Sequence, residues 1–310
     1  MVFVTGKGGT GKTTVAAALA LLAARAGKRV LAVDVEAKGD LAAALGGGAV
    51  RFTPQALQRG IYAIALQAEE SFQEYLGLYF KVPRLARMTP LARVFDFIAT
   101  GVPGPRDMLV VGKIAYEERR RDKSGRPAWD IIIVDAASSG HVVSHLAAAR
   151  AMLTLVRGGV IHSQVEWIDE LVRDDSRSTV LLTALPEEMP VVEAIELGAR
   201  LRSEAGISVS GCVLNRMVLV SVSPSQRRLA AALNRDSDAE EVRHRLGGDP
   251  APFVESVQLA SQLHDRSAEY ARQLRAGLPA PVVPVPLETA SRSGLAMARA
   301  VADALAKDGT

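Results

Sequence analysis

Short runs of aliphatic residues, each followed by a longer stretch of helical character, recur along the chain. The runs are rich in Val and Ile and are bounded by glycine, proline or charged residues, which is typical of buried strands. They predict strands at residues 2–4, 29–33, 130–135, 179–182, 209–215 and 281–286. Alanine- and leucine-rich segments predict helices at residues 15–26 and 294–306. This alternation predicts an α/β fold, a doubly wound and mostly parallel sheet with helices on its faces.

The turn after the first strand is rich in glycine and carries a phosphate-binding pattern. Residues 6–13 fit G-x-x-x-x-G-K-[ST] in full, between a strand and a helix, which is the context that this loop requires. Glycines let backbone N–H groups turn inward around phosphate oxygens, and the helix N-terminus adds positive charge. Lys12 is expected to reach the β- and γ-phosphates, and the Thr13 hydroxyl to bind Mg²⁺. The loop thus predicts that ATP and Mg²⁺ are bound by Gly8, Gly9, Thr10, Gly11, Lys12, Thr13 and Thr14.

A second lysine, Lys7, follows the first glycine of this loop. The sequence K-G-G-x-G-K-T-T resembles the deviant loop of an ATPase class that includes partition and septum-positioning ATPases, the nitrogenase iron protein, and the arsenite-pump and tail-anchored-protein-targeting ATPases. In that class the additional lysine crosses a dimer interface and touches the partner's nucleotide. The resemblance implies that Lys7 acts in trans within a dimer, and a surface lysine without consequence is the alternative.

Two further strands end in carboxylates, at the edge where parallel sheets bind their ligands. Asp135 closes one aliphatic run and is expected to bind Mg²⁺ through water. The other run leads into Asp34 and then Glu36. The ATPase class has an Asp at position 36 that orients the attacking water and holds the Mg²⁺ shell, so the resemblance implies this role for Glu36 with a longer reach. Residues 36–41, which we call the first switch, otherwise depart from the Pro-Ala-His sequence of the targeting factors.

Residues 135–141, which we call the second switch, resemble the D-T-A-P-T-G-H sequence of the arsenite-pump and targeting-factor family. Gly140 is expected to donate its N–H to the γ-phosphate, so that the loop distinguishes ATP from ADP. His141 is interpreted as a structural or switch residue, with a general base as the alternative. By resemblance, Asn215 reads the adenine edge, with a turn-forming asparagine as the alternative, and Pro286 lies near the base.

The resemblance extends over nearly all 310 residues. On these motifs the chain is identified as a member of the arsenite-pump and tail-anchored-protein-targeting ATPase family, in a cysteine-poor bacterial subfamily. The resemblance implies a Mg²⁺-dependent ATPase whose nucleotide closes a dimer and thereby switches a client-binding surface. The dimer is either a homodimer or a heterodimer with a paralogous subunit. Two alternatives stay open: a partition or positioning ATPase on DNA or membrane, and a nucleotide-binding regulatory subunit with weak hydrolysis of its own. The implied catalytic residues are Lys7, Lys12, Glu36 and Asp135.

A single phosphate-binding loop predicts one P-loop ATPase domain over residues 1–310, with an α-helical insertion subdomain at residues 69–121. Seven of the twelve Phe and Tyr residues fall between positions 72 and 116, and those in 72–80 recur at helical spacing. This aromatic face is either a surface for a protein client or the core that joins the insertion to the sheet. Residues 225–277 are a possible second part of the helical subdomain. The seven methionines are scattered, which counts against a general chaperone groove.

Net charge, the longest apolar stretch and the cysteine count exclude several kinds of partner and metal site. The net charge is only +3, and acidic neighbours interrupt the basic run at 119–121, so stable binding to nucleic acid is not expected. The most apolar stretch, residues 15–24, is about half of the roughly 20 residues that cross a bilayer, and no signal peptide precedes the first strand. Stable membrane binding is therefore not expected, and a cytoplasmic location is. The single cysteine, Cys212, excludes a zinc clasp or a three-thiol arsenite site built from this chain alone.

Overall fold

The computed structural model describes residues 1–66, 70–71, 105–219, 222–234, 236–287 and 293–308. Within these ranges, the strands join into one sheet of eight. The strands are β1 Val2–Gly6, β2 Val30–Asp34, β3 Gln55–Gln58, β4 Ile61–Ala65, β5 Ile131–Asp135, β6 Thr179–Ala184, β7 Val209–Met217 and β8 Val282–Pro286.

The helices of the same ranges connect the strands and close the chain. They are α1 Lys12–Arg25, α2 Asp40–Ala44, α3 Pro105–Arg119, α4 Ser139–Leu155, α5 Gly159–Arg173, α6 Glu188–Arg200, α7 Pro224–Leu233, α8 Asp236–Leu246, α9 Ala251–Gly277 and α10 Gly294–Asp308. Helix α6 continues into a π-helical turn, Leu201–Ala205. None of the helices in the described ranges is both long and apolar enough to traverse a bilayer.

The sheet has the order β3-β4-β2-β5-β1-β6-β7-β8, and all its pairs are parallel except β3 with β4. The predicted doubly wound, mostly parallel α/β fold is therefore confirmed. Strand β1, which leads into the phosphate-binding loop, lies between β5 and β6. Strands β2 and β5 are neighbours, so their carboxyl ends meet beside that loop.

Apolar side chains of successive strand residues enter two separate cores, one on each face of the sheet. Phe3 belongs to the core packed by α3 to α6, whereas Val4 belongs to the core packed by α1, α2 and α10. The same alternation holds along β2 and β5, because successive side chains of a strand point to opposite faces. Burial on both faces explains why these strands are continuous aliphatic runs.

Helix α3 carries a buried ion pair on the first of these faces. Lys113 Nζ lies 2.9 Å from Glu117 Oε1, and their side chains are 4% and 1% exposed. The Trp129 indole donates a hydrogen bond to the same carboxylate at 3.0 Å. The Lys113 ammonium also lies over the rings of Phe52 and Tyr116. This network ties the helix to the loop before β5.

The predicted helical subdomain is only partly within the described residues. The aromatic-rich segment 72–104 lies outside them, and α3 covers the following part of the predicted insertion. Helices α7, α8 and α9 occupy most of residues 225–277. The division into subdomains therefore stays a prediction. Cys212 is fully buried in the core, as a small core residue, and burial raises the pKa of its thiol to about 12.

Candidate functional site

The glycine loop between β1 and α1 is shaped by close contacts with distant strands. Gly11, at the N-terminus of α1, has φ 93°, and a Cβ there would lie 2.4 Å from Asn215 Nδ2. The loop is also fixed by Thr10, whose buried hydroxyl bonds Thr183 Oγ1 at 2.7 Å. Glycine is thus required at position 11, both by the backbone conformation and by the Asn215 side chain that packs on it.

A cleft of about 280 Å³ opens at the carboxyl ends of β1, β2 and β5, and we call it the phosphate cleft. Six residues that were predicted to bind nucleotide or metal line this cleft together. The role assigned to each of them stays a prediction. The six are Gly8, Gly9, Lys12, Thr13, Glu36 and Asp135. Residues without a predicted role also line it, namely Asp34, Lys38, Asp40, Ala136 and Ser138.

Asp135 is the most perturbed carboxylate of the phosphate cleft. Burial raises its pKa to about 6, and the charges of Asp34 and Glu36 add to this, while a hydrogen bond from Thr13 and the charge of Lys12 oppose it. Its Oδ1 atom is buried and has no hydrogen-bond partner among the described residues. A buried carboxylate oxygen without a donor, beside the Thr13 hydroxyl, fits a site in which Thr13 and Asp135 would hold a Mg²⁺ ion.

Asp34 is a residue of the cleft to which the sequence assigned no role. It pairs in register with Asp135 across β2 and β5, and it is 4% exposed. Burial raises its pKa, whereas hydrogen bonds from the backbone N–H groups of Gly39, Ala37 and Glu36 lower it. The available signal was that Asp34, like Asp135, closes an aliphatic strand, so both carboxylates had to reach the same edge of the sheet.

The first switch places Glu36 at the solvent side of the cleft. Its Oε2 atom lies 2.6 Å from Lys38 Nζ, and the two side chains are 41% and 64% exposed. Lys38 lies in the stretch that departs from the Pro-Ala-His sequence of the targeting factors. The carboxylate predicted to orient water is therefore paired with a neighbouring lysine.

Lys7 is directed away from the phosphate cleft of its own chain. It does not belong to the described residues that line that cleft, and it forms an ion pair with Glu193 on α6. Glu193 also accepts a hydrogen bond from the Ser139 hydroxyl of the second switch at 3.2 Å. The structure thus joins the glycine loop, the second switch and α6 through one carboxylate that the sequence had not indicated.

The remaining predicted residues lie on two sides of the cleft. Gly140 is exposed near the start of α4, next to the exposed His141. A second, smaller pocket of about 50 Å³ brings together Thr14, Asn215 and Pro286. Adenine is therefore predicted to bind on this side, but the structure does not test it.

The amide of Asn215 already has partners in this structure. Its Nδ2 atom donates to Thr10 O at 3.0 Å, and its Oδ1 atom accepts from the Arg216 N–H at 3.0 Å. One N–H and one lone pair of the amide are still unused, which is what reading an adenine edge requires. The alternative of a turn-forming asparagine is also compatible with these contacts, since the bond to Arg216 is local.

The chain is similar to a family of nucleotide-binding domains and to several proteins named as ATPases. Residues 1–219 match the family model described as CobQ/CobB/MinD/ParA nucleotide binding domain. ATPase BagA of Mycobacterium tuberculosis is 33% identical over 287 residues, which cover 88% of this chain and 83% of that protein. A protein of Aquifex aeolicus assigned as arsenical pump-driving ATPase 2 is 24% identical over 246 residues, 70% of this chain and 79% of its own. ATPase get3 of Schizosaccharomyces japonicus is 26% identical over 148 residues, 47% of this chain and 42% of its own.

Proposed function

Because this chain belongs to the CobQ/CobB/MinD/ParA nucleotide-binding family, and within it to the arsenite-pump and tail-anchored-protein-targeting type of ATPase, we propose that it works as a nucleotide-switched dimer. It is an ATP hydrolase. The proposal adds that ATP with Mg²⁺ closes two subunits face to face, and that hydrolysis to ADP and phosphate opens them. Closure then changes a surface that binds a protein client.

The observation that carries this proposal is the position of Lys7. A lysine of a phosphate-binding loop normally serves the nucleotide in its own cleft, but here Lys7 is engaged by Glu193 outside that cleft. A partly exposed ammonium at the rim is available to a nucleotide in a second subunit. Lys7 bonds Oε1 of Glu193 and Ser139 bonds Oε2, so a movement of this carboxylate on closure would couple the dimer interface to the second switch.

The same helix offers an apolar surface for a second subunit. Met189 and Val192 of α6 are 57% and 43% exposed; Val192 directly precedes Glu193, and Met189 lies about one helical turn before it. Large exposed apolar side chains next to a functional ion pair are typical of a surface that becomes covered in a complex. A subunit that binds Lys7 in trans would cover this part of α6.

The residues of the phosphate cleft, together with Gly140 of the second switch, have separate tasks in hydrolysis. Lys12 binds the β- and γ-phosphates, Glu36 orients the attacking water, and the Gly140 N–H contacts the γ-phosphate. Thr13 and Asp135 hold Mg²⁺, which when bound supplies positive charge to the phosphate oxygens. Positioning and charge stabilisation are the main sources of rate in phosphoryl transfer, and this set provides both.

The test uses Glu36→Gln, which keeps the length of the side chain but replaces the carboxylate by a neutral amide, so it cannot orient water as a carboxylate does. We expect this variant to bind ATP, to hydrolyse it slowly and to accumulate as a closed dimer. Light scattering after gel filtration should then give twice the subunit mass with ATP and Mg²⁺, and the single subunit mass with ADP. The matched control is Lys7→Ala combined with Glu36→Gln, which should bind ATP and stay monomeric.

Two results would contradict the proposal. A Glu36→Gln variant that binds ATP but remains monomeric would show that nucleotide does not close a homodimer. A dimer that persists in the Lys7→Ala combination would show that Lys7 does not act in trans.

One observation favours a second function, that of a regulatory subunit with weak hydrolysis. Glu36 replaces the aspartate of the class and is paired with Lys38 at 2.6 Å. Phosphate release by the isolated chain with Mg²⁺ separates the two functions. Turnover that appears only after addition of a paralogous subunit would favour the regulatory one.

A further inference from the structure

Lys38, in the first switch, has no role in the family pattern or in the proposed dimer. The phosphate cleft is lined by four carboxylates, and Lys12 and Lys38 are the two cations among the described residues that line it. ATP brings further negative charge into this cleft. A second cation there is therefore a candidate ligand for phosphate, and its side chain is 64% exposed.

The backbone that carries Lys38 is held in place by Asp34. Asp34 Oδ2 accepts a hydrogen bond from the Gly39 N–H at 2.9 Å, and the backbone N–H groups of Ala37 and Glu36 also lower the pKa of this carboxyl. Ala37 has φ 53°, in the left-handed region that residues with a Cβ rarely adopt. Strain of this kind persists where the surroundings fix the backbone, and it is concentrated at functional sites. The loop thus presents Lys38 to the cleft from a fixed base.

Glu36 is a weak partner for Lys38 in comparison with a phosphate. Both side chains are exposed, and solvent screening leaves such pairs little strength. A γ-phosphate carries more charge than a carboxylate and has three oxygens, so its charge-assisted hydrogen bonds with an ammonium are stronger. A terminal phosphate in the cleft would therefore draw the ammonium away from Glu36.

We propose that Lys38 binds the γ-phosphate of ATP in its own subunit and in doing so releases Glu36 to orient the attacking water. This inference rests on the proposed hydrolytic site. During hydrolysis the water oxygen forms the bond to the γ-phosphorus, and the bond to the bridging oxygen breaks with its electron pair left on ADP. Both water protons leave with the phosphate product as H₂PO₄⁻, which exchanges one of them with solvent near neutral pH. The Lys38 ammonium keeps its protons and donates hydrogen bonds to the γ-phosphate oxygens, so ADP gains nothing from it.

Binding measurements separate this contact from a general charge effect. Isothermal titration with Mg²⁺ and either ADP or ATPγS is carried out on the wild type and on Lys38→Met, which keeps the length of the side chain. We expect the affinity for ATPγS to fall about tenfold, since a charge-assisted hydrogen bond is lost, and the affinity for ADP to change less than about twofold. Lys38→Arg should restore most of the preference for ATPγS. Lys123→Met, an exposed lysine in the turn after α3, is the matched control and should change neither affinity.

The proposal is wrong if Lys38→Met lowers both affinities equally or changes neither. Repeating the titrations in a Lys7→Ala background tests the contact within a single subunit, because that variant is expected to remain monomeric. Loss of the Lys38 effect in this background would show that the lysine acts across a dimer, which contradicts binding in its own subunit. Failure of Glu36→Gln to dimerise with ATP and Mg²⁺ would overturn the proposed function, but it would leave the ratio of the two affinities as a separate result.

Discussion

Replacing Asp135 by asparagine should change how the stability of the nucleotide-free protein depends on pH. The pKa of Asp135 is raised from 3.8 to about 6, mainly by burial. The folded state therefore binds a proton between these values that the unfolded state has released, so the free energy of unfolding falls as the pH rises. A shift of about two pKa units corresponds to a loss of about 3 kcal/mol once the pH is above both values.

Asparagine carries no charge at any of these pH values, so this loss should disappear in the variant. Urea unfolding in EDTA, at about pH 4.5 and about pH 7.5, gives the free energy of unfolding for both proteins. The stability of the wild type relative to Asp135→Asn should fall by about 2 kcal/mol over this interval, since only part of the transition lies within it. A difference between two pH values is used because any fixed cost of the new amide cancels.

The neighbouring Asp34 affects which carboxylate the change in stability is assigned to, but not the direction of that change. Its charge raises the pKa of Asp135, so the two carboxylates titrate as a pair and the measured change belongs to both. Asp175→Asn is the control, because this carboxylate is exposed on the turn before β6. A relative stability that is constant with pH, or that rises with pH, would refute the argument that Asp135 is destabilised by burial of its charge.

Two further changes address hydrolysis and the buried pair on α3. Lys12→Ala should lower phosphate release at least about a hundredfold, because the phosphate charge is left uncompensated, and near-normal turnover with intact circular dichroism would contradict the role of the loop. Glu117→Ala takes the carboxylate away from the buried Lys113, so urea unfolding should show a loss of about 3–5 kcal/mol. Glu118→Ala removes a pair whose side chains are 22% and 39% exposed, so it should cost less than about 1 kcal/mol, and equal losses would disprove the distinction.

The sequence was sufficient for the sheet wherever a strand is buried on both faces. Strands β1, β2 and β5 are short aliphatic runs, and the glycine pattern after β1 fixed the identity of the loop. Strand β3 was missed because its residues, Gln55–Gln58, form a polar edge strand without an aliphatic run. Strand β4 was missed although it is largely buried, because its short run, Ile61–Ala65, contains two alanines and follows a glycine turn.

Within the site, the residues next to a motif were predictable and their distant partners were not. Lys7 and Glu193 are 186 positions apart, and Asn215 and Thr10 are 205 apart. No local pattern links residues at such separations, because their contact depends on the order of strands in the sheet. Asp34 was the exception, since its position at the end of an aliphatic run next to Glu36 carried the necessary information.

Unfavourable local features, namely left-handed backbone at residues with a Cβ and neighbouring buried carboxylates, lie around the phosphate cleft and the pocket of Asn215. Among the described residues other than glycine, Ala37 and Arg216 have positive φ, and they flank the phosphate cleft and the pocket of Asn215, respectively. Asp34 and Asp135 are paired carboxylates that burial alone would not favour. Each such feature costs stability in the empty protein, by about 1–2 kcal/mol for a left-handed residue. Bound cation and phosphate would offset the carboxylate repulsion, which explains why the cost is tolerated here and why stability and nucleotide binding should be coupled in this protein.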